Sequence, residues 1–512
     1  MIRTRRTLGV TALALTLGAP LAVTTASAAP AAPTTQAAPA APTTQAAPAA
    51  PAVQTPSVAS ATQADILDRL NALPRVSATE KTAPTGYRFF TIDYTQDVDH
   101  RDPSKGTFTQ RLTLLHKDVS RPMVMYTGGY YVSQNPNRSE PTRIVDGNQL
   151  SMEYRFFDPS RPAQPDWEEQ LTIWQAATDQ HEIIETFKGL YDQNWLTTGG
   201  SKGGMTATYH RRFYPDDVSG SIPYVAPNDV RDHQDVYNAF LDEVGDDQAC
   251  RDTLTGLQRR ALGADRQWFL DRAAADSAAN GYTYDIVGDL EKAVESGVVD
   301  AYFAFWQYSK QSDCATLPDP RTASNETVYG WFEQVSPLTV YADQSTGYYT
   351  PYYFQAAYQL GSPEPYENRI GDLLTYPGAD VAMTFVPDAV KPSTFDRAAM
   401  PDVDKWVRKE SERMLYVYGA NDPWSAEDFD CGPQGAARDC HRYYVAGGNH
   451  GSNIAQLPEA ERTKATELVL EWAGLGANDP AVTRVAKNGK PAWNAALDKN
   501  PVLLERAQQL KH

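Results

Sequence analysis

Gly199-Gly200-Ser201-Lys202-Gly203-Gly204 sets one serine between glycine pairs, in the pattern G-x-S-x-G. The pattern is short, and its setting gives it weight. Trp195-Leu196-Thr197 reads as a strand before it, and Met205 to about Tyr214 as a helix after it. A strand–turn–helix with glycines on both sides of the turn holds a serine in a strained, accessible elbow, which is how a nucleophile is presented. A phosphate-binding loop is the competing reading, but the fixed lysine and Ser/Thr of that loop are out of register here.

A serine hydroxyl attacks only when a base removes its proton, so a histidine and an orienting acid must follow. Of eight histidines, His512 is terminal, and His100 and His116 precede the serine. His210 lies on the helix after the elbow, His233 at the entrance of a helical block, and His441 at the start of a strand. His450 stands in the loop Gly447-Gly448-Asn449-His450-Gly451, after the strand Arg442 to Val445. That position suits the base, and it implies turnover that falls in acid as the imidazole protonates. The acid belongs at the end of the preceding strand, where Met414 to Tyr418 runs into Gly419-Ala420-Asn421-Asp422. Asp428 and Asp430 lie further along the same loop. Ser201, Asp422 and His450 occur in the chain order of an α/β-hydrolase triad. The oxyanion formed on attack needs two backbone donors. The amide of Lys202 is one, and the loop Gly128-Gly129-Tyr130, after the buried strand Pro122 to Tyr126, is the source of the other.

The elements around these residues alternate. Ile66, Leu67, Leu70 and Leu73 make a short amphipathic helix. Tyr87–Tyr94, Gly106–Leu115 and Leu150–Phe157 have β character, Trp167 to about Tyr191 is helical, and Val218–Val225 is a further strand. From about Asn228 to Pro392 the chain carries helical patterns dense in tyrosine, phenylalanine and tryptophan, after which β/α alternation returns and closes with a helix from Ala460 to Trp472. The expected fold is α/β, an α/β-hydrolase with a mostly parallel sheet and a large inserted helical cap. The expected division is a signal peptide at 1–28, a linker or pro-segment at 29–60, the hydrolase core at 61–228 and 396–512, and the cap at 229–395.

Arg3, Arg5 and Arg6, the apolar run Leu8 to Val23, and Ala26-Ser27-Ala28 read as a secretory signal; the adjacent arginines also loosely match a twin-arginine start. APTTQAAPA, repeated from Ala32 and Ala41, has nothing to bury and reads as an extended linker. No run suits a membrane span. A net charge of -18 disfavours nucleic acid, because no basic stripe offsets the repulsion. Four cysteines fit an oxidising compartment. Cys431 and Cys440 are close enough to shut a small loop, which would leave Cys250 for Cys314, although three pairings are possible. His181-Glu182-Ile183-Ile184-Glu185 imitates a zinc motif but lacks its second histidine, and reads as a solvated helix face. No metal or other cofactor is expected, and the chain is expected to act as a secreted monomer.

Residues 199–205 (Gly-Gly-Ser-Lys-Gly-Gly-Met), 419–425 (Gly-Ala-Asn-Asp-Pro-Trp-Ser), 447–450 (Gly-Gly-Asn-His) and Glu153-Tyr154-Arg155-Phe156-Phe157 resemble the motifs of the prolyl-specific serine exopeptidases. That group includes lysosomal prolyl carboxypeptidase, its dipeptidyl-peptidase relative and the secreted actinomycete prolyl tri/tetrapeptidyl aminopeptidases; the likeness to the last covers nearly everything beyond the linker. The resemblance implies cleavage after proline with release of an N-terminal tri- or tetrapeptide. It also implies that Met205 and Trp424 line the pocket for the proline ring, and that the cap admits unfolded peptide ends. Two departures from the lysosomal pattern bear on which end of the peptide is attacked. Lys202 replaces an aromatic residue, and a single histidine stands where those enzymes often have two. An aminopeptidase must also hold the substrate ammonium; Glu153 and acidic residues of the cap are candidates, and pairing of Glu153 with Arg155 or nearby backbone is the competing role. The alternatives of other classes are an esterase or lipase, a prolyl carboxypeptidase, and a non-catalytic binding protein on the same fold.

Overall fold

The computed structural model describes residues 64–232 and 236–499. The expected signal peptide and linker, His233 and His512 lie outside the described residues.

Nine strands form one sheet: β1 (Val76–Lys81), β2 (Arg88–Asp97), β3 (Thr107–His116), β4 (Met123–Thr127), β5 (Asn148–Met152), β6 (Trp195–Gly200), β7 (Gly220–Tyr224), β8 (Met414–Gly419) and β9 (Cys440–Val445). Their spatial order is β1-β2-β3-β5-β4-β6-β7-β8-β9. The first three pairings are antiparallel, and from β5 to β9 every pairing is parallel. This is an α/β-hydrolase fold. The antiparallel and parallel parts differ in composition for a physical reason. On β2, Ile92, Tyr94 and Gln96 are buried while Asp93 and Thr95 are exposed, as suits a sheet with one wet face. In β5, β6, β7 and β8 every residue is buried, because helices cover both faces.

Three expectations need correction. The run Leu150–Phe157 is not one strand: β5 ends at Met152, and Phe156 turns the chain at φ 74. The helical stretch from Trp167 is broken at Thr172, whose side chain accepts from Gln175 N and starts a new helix, Ile173–Lys188. β1 was not anticipated. Its residues Val-Ser-Ala-Thr-Glu-Lys show no apolar alternation, because it is a largely exposed, charged edge.

Between β7 and β8 the chain is helical, with its own core of Leu254, Leu257, Phe269, Val298, Tyr302, Trp306 and Phe332. At its centre runs the helix Leu290–Tyr308, started by Asp289, whose side chain accepts from Lys292 N. A disulfide from Cys250 to Cys314 ties this region, and one from Cys431 to Cys440 closes the short loop before β9.

Candidate active site

Four of the parallel strands, β4, β6, β8 and β9, end on the same rim of the sheet, and each delivers one piece of the site. β6 ends at Gly200, and Ser201 follows at φ 55 and ψ -129, a conformation that side chains rarely adopt. The strain is held from both sides. Ser201 N donates to Tyr224 O of β7 (3.0 Å), and the helix Lys202–Phe213 starts at once, with Met205 N donating to Ser201 O (3.0 Å). The helix lies so close to β4 that a Cβ on Gly203 would sit 2.1 Å from Thr127 O. Only glycine fits that approach.

β8 delivers Asp422, which is fully buried. Its Oδ2 accepts from His450 Nδ1 (2.8 Å) and from Ser425 Oγ (2.8 Å), and its Oδ1 accepts from Trp424 N (3.2 Å). These bonds fix the carboxylate in one rotamer and the imidazole in one orientation. The loop after β9 carries His450, and the end of the central cap helix anchors it. His450 N donates to Gln307 O (2.9 Å), and Asn449 Nδ2 donates to Tyr308 O and Ser309 O. His450 is 1% exposed and its Nε2 has no hydrogen-bond partner. A cavity of about 210 Å³ is bounded by Ser201, Lys202, Met205 and Tyr130 on the sheet side, by His450 and Trp424, and by cap residues that include Asp300 and Tyr349. Asp428 and Asp430 are turned to other partners, Arg442 and Arg408.

After β4 comes the loop Gly128-Gly129-Tyr130. Gly129 (φ 77) packs against the elbow, so that a Cβ there would lie 2.8 Å from the carbonyl carbon of Lys202. Its N–H donates to Thr127 Oγ1 (3.1 Å), so this amide is turned back to its own strand and is not available as an oxyanion donor. Lys202 is 1% exposed, and its ammonium donates to Gly129 O (2.9 Å) and sits 3.2 Å from the centroid of the Tyr154 ring. Carbonyl bonding and an aromatic face together offset part of the cost of burying the charge. Since C=O and N–H of a trans peptide point in opposite directions, a Gly129 carbonyl held by Lys202 turns the Tyr130 N–H the other way.

Glu153 pairs with Arg111, not Arg155: Arg111 Nε donates to Oε2 (2.6 Å) and Nη2 to Oε1 (2.9 Å). Arg155 is spent on Asp179, with bonds of 2.6 and 2.7 Å between two fully buried side chains. Burial pushes the Glu153 carboxyl up to about 7 in spite of Arg111. Glu153 is a structural ion pair behind the wall. Sequence reasoning missed Arg111 because it lies on β3, 42 residues away, and register alone brings the two together.

The remaining described histidines have other partners. His100 bonds Asp179 (2.7 Å), His116 bonds Tyr191 Oη (2.9 Å) and His441 bonds Asp439 (2.7 Å). His181 is not simply a solvated face. Its Nδ1 bonds Asp217 (2.9 Å) and its ring stacks on Tyr214 at 4.1 Å. Asp217 also bonds His210 (2.9 Å). Burial raises the Asp217 carboxyl, but the bonds from His181 and His210 outweigh it and hold the group well below the usual range. Donor atoms of His181, Glu185 and Asp217 lie within 4.8 Å of one another, spacing a metal could use, but Asp217 already serves as the acceptor for both imidazoles.

Residues 59–510 match the family described as PS-10 peptidase S37. The chain belongs to the peptidase S37 family. It is a serine peptidase, and it is 51% identical over 440 residues to the prolyl tri/tetrapeptidyl aminopeptidase of Streptomyces mobaraensis, covering 85% of this chain and 91% of that one. It is also 28% identical over 174 residues to the lysosomal Pro-X carboxypeptidase of Mus musculus, across 30% of this chain and 35% of that protein. Among solved structures, a peroxisomal α/β-hydrolase of Saccharomyces cerevisiae aligns over 84% of this chain and 96% of its own, with 11% identity and a TM-score of 0.31. For this S37 peptidase, no described helix is long and apolar enough to cross a membrane.

Proposed function

We propose that this S37 peptidase is a secreted exopeptidase that removes tri- or tetrapeptides from the N-terminus of its substrates by cutting after proline, with Ser201, His450 and Asp422 as its triad. The observation that carries the reading is the buried Asp422–His450 pair, whose unpartnered Nε2 shares a cavity with the elbow serine. His450 Nε2 takes the Ser201 Oγ proton as Oγ attacks the scissile carbonyl, and Asp422 stabilises the imidazolium that results. The amides of Lys202 and Tyr130 receive the oxyanion, with Tyr130 in place of the Gly128 and Gly129 amides expected from sequence. Lys202 is a positioning residue here, since its ammonium sets the plane of the Gly129–Tyr130 peptide. The imidazolium then protonates the leaving amine, and a water activated by the same histidine releases the acylated peptide from Ser201.

Met205, 5% exposed, and Trp424 line this cavity, and a flat apolar ring packs well against a thioether and an indole. Trp424 is itself propped edge-on by Phe303 at 5.1 Å and Tyr237 at 6.0 Å. The helical insertion, taken as a cap over residues 229–395, then admits chain ends and excludes folded protein. Two disulfides and the signal-like start favour the extracellular compartment. The test is mass spectrometry of the products from a free peptide with proline at position three. Release of the N-terminal tripeptide is expected. Removal of the C-terminal residue instead would favour a carboxypeptidase, and hydrolysis of short acyl esters alone would favour an esterase.

A further inference from the structure

A second cavity, of about 290 Å³, is lined by Gly199 and Gly200, which precede Ser201, and by Ser452 and Asn453, which follow His450. Across a cavity side chains do not interdigitate, so packing there does not fix how the two segments stand to each other. Tyr224 and Glu140 line the same space, and Glu140 bonds to the supports of both segments.

Glu140 opens the helix Glu140–Val145, and its carboxylate receives four donors. Oε2 accepts from Ile454 N (2.8 Å) and from Tyr224 Oη (3.0 Å). Oε1 accepts from Ala455 N (3.0 Å) and from Arg143 Nη2 (3.2 Å). Two carboxylate oxygens offer about four lone-pair sites, so the group is saturated. With its side chain 10% exposed, solvent weakens these charge-assisted bonds little. The donors serve the two reacting side chains separately. Tyr224 is the residue whose carbonyl accepts from Ser201 N (3.0 Å), holding the elbow at φ 55. Ile454 and Ala455 begin the short turn Ile454–Gln456, which closes the loop of His450. That loop is tied to the cap before the imidazole, through Asn449 Nδ2 and His450 N, and to Glu140 after it.

We propose that Glu140 is a positioning residue for the peptidase reaction, setting the separation of the Ser201 hydroxyl and the His450 imidazole by bracing β7 against the turn after the histidine. The proposal rests on the triad reading above. Without the carboxylate, two backbone N–H groups and a phenol lose their acceptor, and the His450 loop relaxes toward the cavity. Nucleophile and base then meet less often at proton-transfer distance. Met205 and Trp424, on the other cavity, stay in place. The effect falls on kcat and spares KM.

The test measures kcat and KM on a tripeptide anilide that ends in proline, for wild type, Glu140→Gln and Tyr224→Phe. Rates are expressed per active centre, counted by phosphonate labelling, and melting temperatures are recorded alongside. Glu140→Gln keeps the size but turns an amide donor toward backbone donors; kcat falls by about 10–100-fold with KM within about twofold of wild type. Tyr224→Phe cuts only the arm to the elbow, and kcat falls by about threefold. That variant decides the matter if Glu140→Gln yields no labelled centres. A merely structural role would lower the melting temperature and the number of centres but leave kcat per centre unchanged. Unchanged kcat per centre in either variant, or a loss confined to KM, overturns the role of Glu140 alone. A wild type labelled elsewhere than on Ser201 overturns the triad reading, and this proposal with it.

Discussion

The two walls of the cavity are built by different means. On the sheet side, Ser201, the Gly129–Tyr130 peptide, Asp422 and His450 stand at strand ends, and their positions are set by backbone contacts, such as Ser201 N to Tyr224 O and His450 N to Gln307 O. On the cap side, Asp300, Tyr341 and Tyr349 project as side chains from helices and turns that pack on one another, and Trp424, from the turn after β8, packs against that helical core. A wall fixed by backbone can hold reacting atoms to tenths of an ångström, whereas a wall of side chains can change its selectivity without moving them. The comparison predicts that substitutions on the sheet wall lower kcat and those on the cap wall raise KM.

The largest effect is expected for Ser201→Ala, with turnover falling by about 10⁴–10⁶-fold and the melting temperature unchanged. Full activity in that variant would remove the nucleophile from the account. Asp422→Asn is next, with kcat lower by about 10⁴-fold because the imidazole loses its tautomer and orientation; steady-state kinetics at fixed pH measure it. Lys202→Met keeps the volume but releases the Gly129 carbonyl, and kcat is expected to fall by about 10–100-fold with KM little changed. A rise in KM alone would move Lys202 from the oxyanion loop to the binding surface. Trp424→Ala belongs to the other wall. It should cost about tenfold in kcat/KM on proline substrates, mostly through KM, and less on alanine at the same position.

Far from both walls, His116 offers a control on stability. Burial holds its imidazole down at about 4, while its Nδ1 shares a hydrogen bond with Tyr191 Oη (2.9 Å). The unfolded chain binds that proton at ordinary histidine pH, so stability is present above about pH 6.5 and is lost as pH falls through about 4. Because the ring is only half-buried, the loss is about 1–2 kcal/mol. Denaturant unfolding of His116→Gln should flatten this acid limb while leaving kcat untouched.

Much of the sheet wall was legible in the sequence because its signals are local. A glycine-flanked serine between strand and helix, and an acid and a histidine each just beyond a strand, need only short windows. What was missed depends on register or on distant pairs. Glu153 meets Arg111 only through the pairing of β3 with β5, and the Gly129 amide is lost to Thr127 through a turn that composition does not reveal.

The most direct test of the central claim is labelling with a tripeptidyl phosphonate that ends in a proline analogue, followed by mapping of the adduct by mass spectrometry. The account predicts one covalent bond per chain, on the Oγ of Ser201, and no labelling of Ser201→Ala. An adduct on another residue, or equal labelling of the variant, would contradict it.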